Sequence, residues 1–580
     1  MTRLTKWSDQ FPPRAWLVGY TRADGTADLL AGLIVAIMLI PQSLAYALLA
    51  GLPPEMGLYA SILPLMVYSL LGTSRTLSVG PVAVISLMTA SALSHVTASG
   101  EVDYASAAIS LAALSGLMLI AMGLLRFGFL ANFLSHPVVS GFITASAIII
   151  AVSQVRHLLG IDAQGSNLPA LFSGILTNFN TLNGYALATG TGALAFLWWA
   201  RGHLQPLLLR IGLPLSLAAI LARAAPVAAI FATVACSYWL DFEVQGVSLV
   251  GAIPAGLPAF SAPPFSLELW RELAVSALLI SLIGFVESVS VGRTLAAKRR
   301  QRINANQELI ALGGANVASS ISGGFPVTGG FSRSIVNYDA GARTQLASVI
   351  AAAGIALSCL FLTPLLFFLP KATLAAIIIV AVLALIDFSI IPKAWRYSRS
   401  DFLAAVVTIS VTLLTGVEVG VICGIAASVL LHLHKTSQPH VAVVGAVAGT
   451  EHYRNVERHQ VITYPNLVSI RIDESLYFAN SGYLEEYIYG LVAQRPELQH
   501  VVLQCTAVNE IDMSALEMLE SVDHRLMELG MTLNLSEVKG PVMDALQAIA
   551  FLDQLSGKVY LSHHQAVRAL RLDEPEPYIM

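Results

Sequence analysis

Gly323-Gly324-Phe325-Pro326-Val327-Thr328-Gly329-Gly330-Phe331-Ser332-Arg333-Ser334 is a run of chain breakers, hydroxyls and one arginine set inside an otherwise apolar stretch. Lipid offers no hydrogen bonds to free backbone, so a non-helical segment at membrane depth survives only where protein or a water-filled cavity covers it. Such a break points to a ligand site. A short helix starting near Phe331 would turn its unpaired N–H groups and the Arg333 guanidinium toward the gap, and both favour an anion.

Working outward, composition supports a membrane setting. The 580 residues are 56% hydrophobic and 12% charged, about half the charged fraction of a soluble domain; mean hydropathy is +0.71. Charges concentrate in the last part of the chain, while Leu29 to Leu433 is mostly apolar. This divides the sequence into a cytoplasmic lead (1–28), a transmembrane domain (29–436) and a soluble domain (437–580). A net charge of −4 carries no nucleic-acid signature. The four cysteines, Cys236, Cys359, Cys423 and Cys505, form neither a disulfide framework nor a metal-ligand spacing.

The first apolar run, Leu29 to Leu49, is long enough to span a bilayer and holds Pro41-Gln42-Ser43 in its middle. A second span, Met56 to Leu71, leads to another breaker, Ser78-Val79-Gly80-Pro81, and a short helix ending near Leu93. Further spans near 105–125, 134–158, 183–200, 226–240, 273–292, 306–322, 331–339, 344–362, 373–390, 401–416 and 418–434 bring the total to about fourteen, several too short to cross alone. Segments 168–178 and 206–222 read as interfacial amphipathic helices. With the N-terminus inside, the loops holding Arg126, Arg201, Lys298 to Arg302, Arg343 and Lys393 to Arg399 fall on the cytoplasmic side, as basic loops should. The outer loops, such as Glu101 to Asp103 and Gly160 to Asn183, are poor in Lys and Arg; Lys371 and Arg271 sit against the rule.

The two breaks recur in step, each the third element of its half, and an odd number of spans per half makes the repeats inverted. Paired broken helices in matching positions are a sequence pointer to a midplane substrate site in a secondary transporter. Glu287 lies in the apolar span around Leu282 to Ser290. An acid there costs roughly 2.5–3.5 kcal/mol on insertion scales, which argues for a functional use. Burial favours its neutral form, suiting a proton carrier; permanent pairing with Arg333 is the structural alternative. Gln42 and Tyr46 share one helical face and can both donate to an oxygen-rich anion, although Gln42 could equally cap the kink at Pro41. Asn304, Asn306, Gln307 and Glu308 read as helix-start and loop residues.

Ile40-Pro41-Gln42-Ser43-Leu44-Ala45-Tyr46-Ala47, Gly57-Leu58-Tyr59-Ala60, Ser78-Val79-Gly80-Pro81, Asn306-Gln307-Glu308-Leu309, and Gly330-Phe331-Ser332-Arg333-Ser334 with Asn337-Tyr338 together resemble the SulP sulphate permease family of anion transporters. The resemblance implies an α-helical polytopic fold with a seven-plus-seven inverted repeat, in which a core domain carrying the half-helices moves against a gate domain, usually within a homodimer. The anion site it implies comprises Gln42, Tyr46, Val82, Ala83, Val84, Phe331, Ser332 and Arg333, with Glu287 as the proton-coupling group.

From His440 onward strand-like and helical segments alternate, a small α/β domain with a helix-covered sheet. It resembles the STAS domain. Val508-Asn509-Glu510-Ile511-Asp512-Met513-Ser514 reads as a strand leading into a helix capped by Asp512. The resemblance makes Ser514 a possible phosphorylation site, although Met513 departs from the small hydroxyl residue usual there. The tail holds no nucleotide loop or catalytic dyad, so no enzymatic role is expected.

The sequence therefore predicts a transporter of a small inorganic anion needing no cofactor, most simply a proton–sulphate symporter. Bicarbonate transport with sodium coupling, dicarboxylate transport, and an uncoupled channel or sensor are the alternatives. The lack of a recognisable targeting segment fits a bacterial inner membrane, with both termini cytoplasmic.

Overall fold

The computed structural model describes residues 12–17, 19–96, 102–132, 135–163, 165–254, 256–260, 262–571 and 576–578. Glu101, used above to orient the chain, lies outside them. The chain divides into two compact units, Met1–Ser428 and Val429–Met580.

The first unit is helical. Its first long helix, α1 (Arg22–Leu49), opens on a capping box in which the Thr21 side chain accepts from Asp24 N–H and Asp24 reaches back to Thr21. Pro41 lies inside α1, where it removes one backbone hydrogen bond. The elements that build the site are α2 (Ala83–Val96), α3 (His136–Leu159), α4 (Leu267–Lys298), α5 (Ala305–Ile321), α6 (Phe331–Asp339), α7 (Leu346–Phe361) and α8 (Lys371–Leu383). By length and composition six helices among the described residues can cross a membrane, seven if the pair bent by 52° before Trp239 counts as one. The remaining apolar segments are shorter helices, including α7 and α8.

Two expectations need correction in detail. The second span, 54–71, is one of the six but is interrupted into two helical pieces, Pro54–Tyr59 and Leu63–Leu71, because Pro64 cannot donate into a continuous ladder. The segment 206–222 is likewise broken, into Gln205–Arg210 and Leu215–Arg223, with Gly212 at φ 93° and Pro214 at the start of the second piece. A glycine alone adopts that backbone freely, and the following proline sets a new helix start.

Helices pack closely where side chains vanish. A Cβ on Gly313 would lie 2.7 Å from the Gly116 carbonyl oxygen, so α5 and the helix Tyr104–Leu124 meet nearly backbone to backbone. One apolar cluster around Met88, Leu111, Phe285, Leu312 and Phe325 joins α2, α4 and α5. A second, around Leu39, Leu44, Ile150, Ile355 and Ile378, joins α1, α3, α7 and α8. The site lies where elements of both clusters meet.

Between these helices run two very short strands, β1 (Val79–Gly80) and β2 (Thr328–Gly329), paired antiparallel with Val79 opposite Gly329 and Gly80 opposite Thr328. Helices α2 and α6 follow them directly.

The second unit is an α/β domain. Strands β3 (Val441–Ala446), β4 (Tyr453–Asn455), β5 (Val461–Thr463), β6 (Leu467–Ile472), β7 (His500–Gln504), β8 (Thr532–Ser536) and β9 (Val559–Tyr560) form one sheet, with the strand Glu576–Tyr578 at its edge beside β5. The sheet is parallel from β6 through β9 and antiparallel around β3. Helices α9 (Ser481–Gln494) and α10 (Met513–Glu528) make the β6–β7 and β7–β8 crossovers and bury Leu484, Ile488, Leu519 and Val522 against the sheet. The short strands β4 and β5 did not show in the sequence pattern, being three residues each between polar turns.

Candidate functional site

The break that dominates the sequence is held open by named side chains. Asn316 on α5 pairs with Val327 through both its amide groups, each bond 2.9 Å, and Ser319 donates to the Phe325 carbonyl at 2.7 Å. On α4, Ser288 accepts from Gly329 N–H at 2.9 Å and bonds the Thr328 hydroxyl at 2.7 Å, while Thr328 donates to the Gly284 carbonyl at 2.7 Å. The pairing of β2 with β1 satisfies further backbone groups. Ser78 N–H donates to Ser334 Oγ at 3.0 Å, Gly330 N–H to the Ser78 carbonyl at 3.0 Å, and Asn337 to the Thr76 carbonyl at 3.0 Å. Irregular backbone at membrane depth is thus covered by protein, as its polarity requires.

Two half-helix starts result, side by side. The first turn of α6 has no side-chain cap, because Gly330 occupies that position, so its leading N–H groups have no side-chain acceptor among the described residues. Arg333, in this turn, is buried at 3% exposure. Its Nη1 donates to the Pro81 carbonyl at 2.5 Å, tying α6 to the segment between β1 and α2, while Nε and Nη2 have no partner among the described residues. The guanidinium lies against two glycines: a Cβ on Gly330 would come 2.7 Å from Nη2, and one on Gly80 would come 3.3 Å from Nη1.

A cavity of about 40 Å³ lies at this junction, lined by Gln42, Tyr46, Val82, Ala83, Val84, Glu287, Gly330, Phe331, Ser332, Arg333, Ala381 and Leu385. Every anion-site residue singled out in the sequence, and Glu287, faces this one space. Gln42 and Tyr46 reach it from α1, one turn apart beside Pro41. Val82, Ala83 and Val84 form the start of α2. Ser288, bound to β2, fixes the height of α4 and so places Glu287 at the cavity wall. The volume admits a few water molecules, the size range of a small inorganic ion and well below that of pockets for larger organic ligands.

Glu287 and Arg333 share the cavity without forming an ion pair: no carboxylate oxygen lies within 4.0 Å of Arg333 among the described residues. The permanent-pair alternative is therefore not what the geometry adopts. Glu287 also borders a small apolar cavity lined by Phe142, Ile143, Val286 and Ile425. Ala381 and Leu385, at the end of α8 and just beyond it, close the cavity and escaped the sequence reading, because apolar residues in an apolar span carry no signal of their own. Ser288 and Asn316 escaped it too, although a polar residue inside an apolar helix is such a signal.

The helix-start reading of Asn304 to Glu308 agrees with the structure and is also incomplete. Asn304 caps α5, accepting from Asn306 and Gln307 N–H. Glu308, buried at 1% exposure, accepts from Tyr68 Oη at 2.6 Å, Thr73 Oγ1 at 2.5 Å, Thr73 N–H at 2.8 Å and Ser74 N–H at 3.2 Å. It clamps the loop that leads into β1. In the second unit Asp512 caps α10 by accepting from Ala515 N–H at 2.9 Å, and Ser514 is exposed in the first turn.

Paired half-helices around a small, partly unsatisfied polar cavity in a helical membrane unit define a class of membrane transport fold. The chain belongs to the sulfate permease family, which it matches over residues 26–408, and it carries a STAS domain over residues 458–566. It is 37% identical over 536 residues to sulfate transporter 4.1, chloroplastic, of Arabidopsis thaliana, covering 90% of this chain and 76% of that one. It is 34% identical over 566 residues to a probable sulfate transporter of Mycobacterium tuberculosis, covering 96% of both. Its fold matches the murine Solute Carrier 26 family member A9 anion transporter in the inward-facing state, with a TM-score of 0.88 at 24% identity over 98% of this chain and 96% of that one.

Proposed function

We propose that the protein is a secondary active transporter of small inorganic anions, carrying sulfate together with a proton by alternating access. The observation that carries this reading is Arg333: a buried cation with two unpartnered nitrogens, set between two half-helix starts in a cavity of inorganic-ion size. The names of the relatives, sulfate transporters in a plant and a mycobacterium, support the choice of anion.

Arg333 supplies charge, the opening turns of α2 and α6 supply backbone donors, and Gln42 and Tyr46 orient the oxygens. With Glu287 ionised, the cavity's formal charge from Arg333 and Glu287 cancels and a dianion meets a repelling carboxylate. Protonating Glu287 leaves Arg333 unopposed. Sulfate binding and proton uptake then favour each other, as linkage requires of coupled ligands. Rocking of the half-helix pair against α3 and α8 would alternate access to the cavity. The orientation, with N- and C-termini cytoplasmic, rests on the loop charges, and a homodimer rests on the family resemblance.

Uptake of radiolabelled sulfate into proteoliposomes, with and without an inward proton gradient or sodium, tests this directly. Accumulation driven by the proton gradient and abolished in Glu287→Gln, with facilitated exchange retained, is expected. Sodium-driven bicarbonate uptake without sulfate accumulation would overturn the substrate assignment, and full gradient-driven accumulation by Glu287→Gln would overturn the role of the acid.

A further inference from the structure

Lys371 sits against the charge rule that orients the spans, and nothing in the transport cycle proposed above uses it. It is the first residue of α8, where a cation faces the positive end of the helix dipole, the unfavourable sign. Its side chain borders a cavity of about 470 Å³ together with Arg156, His157, Asp162 and Ser248. This space shares no lining residue with the anion cavity around Arg333.

Arg156 belongs to the last turn of α3. Its Nη1 donates to the Ala163 carbonyl at 3.0 Å and its Nε to His157 Nε2 at 3.3 Å, bonds that fix the guanidinium at the cavity wall and leave Nη2 without a bond among the described residues. A helix-end role accounts for Arg156 in part, since a cation there suits the dipole. No such account covers Lys371, whose ammonium has no hydrogen bond or ion pair among the described residues. Asp162, the only acid on the lining, is exposed and stands more than 4.0 Å from both cations. Two partly buried cations therefore line one cavity at the start of α8, whose first N–H is already bound to the Ser248 carbonyl at 3.0 Å, and neither has a counter-charge within ion-pair distance among the described residues. Like charges held together out of bulk water repel, and an anion between them removes that repulsion.

We propose that this cavity binds a tetrahedral oxyanion group, a phosphate or a sulfate, between the Lys371 ammonium and Arg156 Nη2, with the Ser248 hydroxyl as a further donor. Its volume accommodates the phosphodiester of a lipid headgroup as well as a free ion. The cavity lies at the ends of α3 and α8, the level at which headgroups reside when helices end at a membrane surface. On the orientation read from the loop charges this is the external face.

The test uses the purified full chain and two probes. In one arm, phosphatidylglycerol is titrated into the protein in detergent, with phosphatidylcholine as control, and bound lipid is counted by native mass spectrometry. In the other, inorganic sulfate is titrated in an Arg333→Ala background, which silences the central cavity, and binding is read by thermal shift. Lys371→Gln and Arg156→Gln should each weaken one of the two probes by about tenfold, the value of one charge-assisted bond. Loss in the lipid arm alone identifies a headgroup site, and loss in the sulfate arm alone identifies a free-ion site. Should a variant fail to fold, the rate at which an amine-reactive reagent labels Lys371 in the unmutated chain provides the readout, and the bound probe should slow it. Unchanged affinity for both probes in folded variants, or unchanged labelling with both probes present, would overturn the proposal.

Discussion

Two sets of buried charge in the membrane unit are treated in opposite ways. Asp28, fully buried in α1, accepts from Tyr20 Oη at 3.1 Å, Arg343 N–H at 2.6 Å, Thr344 N–H at 3.0 Å and Thr344 Oγ1 at 2.5 Å. Glu308 likewise has four donors, three from the loop before β1 and one, Tyr68 Oη, from the helix before that loop. Around the cavity, by contrast, Arg333 keeps two nitrogens unpaired and Glu287 has no ion-pair or hydrogen-bond partner among the described residues. A buried charge is tolerable when its hydrogen-bonding capacity is filled and expensive when it is not. The saturated acids lash distant segments together; the unsaturated pair leaves hydrogen-bonding capacity unfilled at the cavity.

This contrast can be broken by exchanging the behaviour of its two halves. The largest effect is expected at Arg333. Replacement by Ala should lower sulfate uptake in proteoliposomes by about 100-fold or more while leaving membrane insertion and thermal stability near normal. Uptake at the unmutated rate would show that the site had been misplaced. Glu308→Ala should do the reverse, leaving two backbone N–H groups and two hydroxyls without their acceptor and lowering stability by roughly 3 kcal/mol or more. A variant that melts like the parent would remove Glu308 from the saturated set.

A third kind of buried polar group sharpens the comparison from outside the membrane. His563 in the STAS unit is 1% exposed, has Ser536 Oγ 2.8 Å from Nδ1, and leaves Nε2 unpartnered. Burial pushes its pKa down from 6.5 to about 4. Above the unfolded value both states are neutral and its contribution to stability is complete. As pH falls below about 6.5 the unfolded chain takes up a proton that the folded one refuses, so stability drops until about pH 4, by about 3 kcal/mol in all. The protection factors of the β8 amides in the full chain, corrected for the intrinsic exchange rate at each pH, should fall across that window, and less so in His563→Gln. Equal protection at pH 7 and pH 4.5 would contradict this.

The smallest effect concerns aim. Gly330→Ala places a Cβ 2.7 Å from Arg333 Nη2, so the guanidinium must shift while its charge is retained. Sulfate uptake should fall about tenfold, less than on removing the arginine, with stability little changed. A drop as deep as that of Arg333→Ala would mean that the first turn of α6 had been lost as well.

Much of this was legible in the chain because it is local. Apolar runs declare spans, Gly and Pro interrupt them, and an Asp or Asn one residue before a helix caps it, as Asp512 and Asn304 do. The short helix beginning at Phe331 and the one beginning at Ala83 follow from the breakers directly before them. The alternation of the tail located most of its strands and helices for the same reason. Less legible were the polar groups whose partners are distant in sequence. Asp28 sits at the edge of an apolar run and gives no hint that its donors are Arg343 and Thr344. Glu308 looks like an ordinary first-turn acid until Tyr68, Thr73 and Ser74 close around it.

By itself, then, the sequence determined which residues could face an anion and where the helices had to break, since those follow from backbone chemistry acting over a few residues. Tertiary structure alone decided that β1 and β2 pair, that Arg333 spends one nitrogen on Pro81 and keeps two free, and that Glu287 shares its cavity without touching it. The reason is distance. Whether a charge is neutralised or left available depends on groups within a few ångströms in space, and here those groups lie some two hundred and fifty residues apart along the chain.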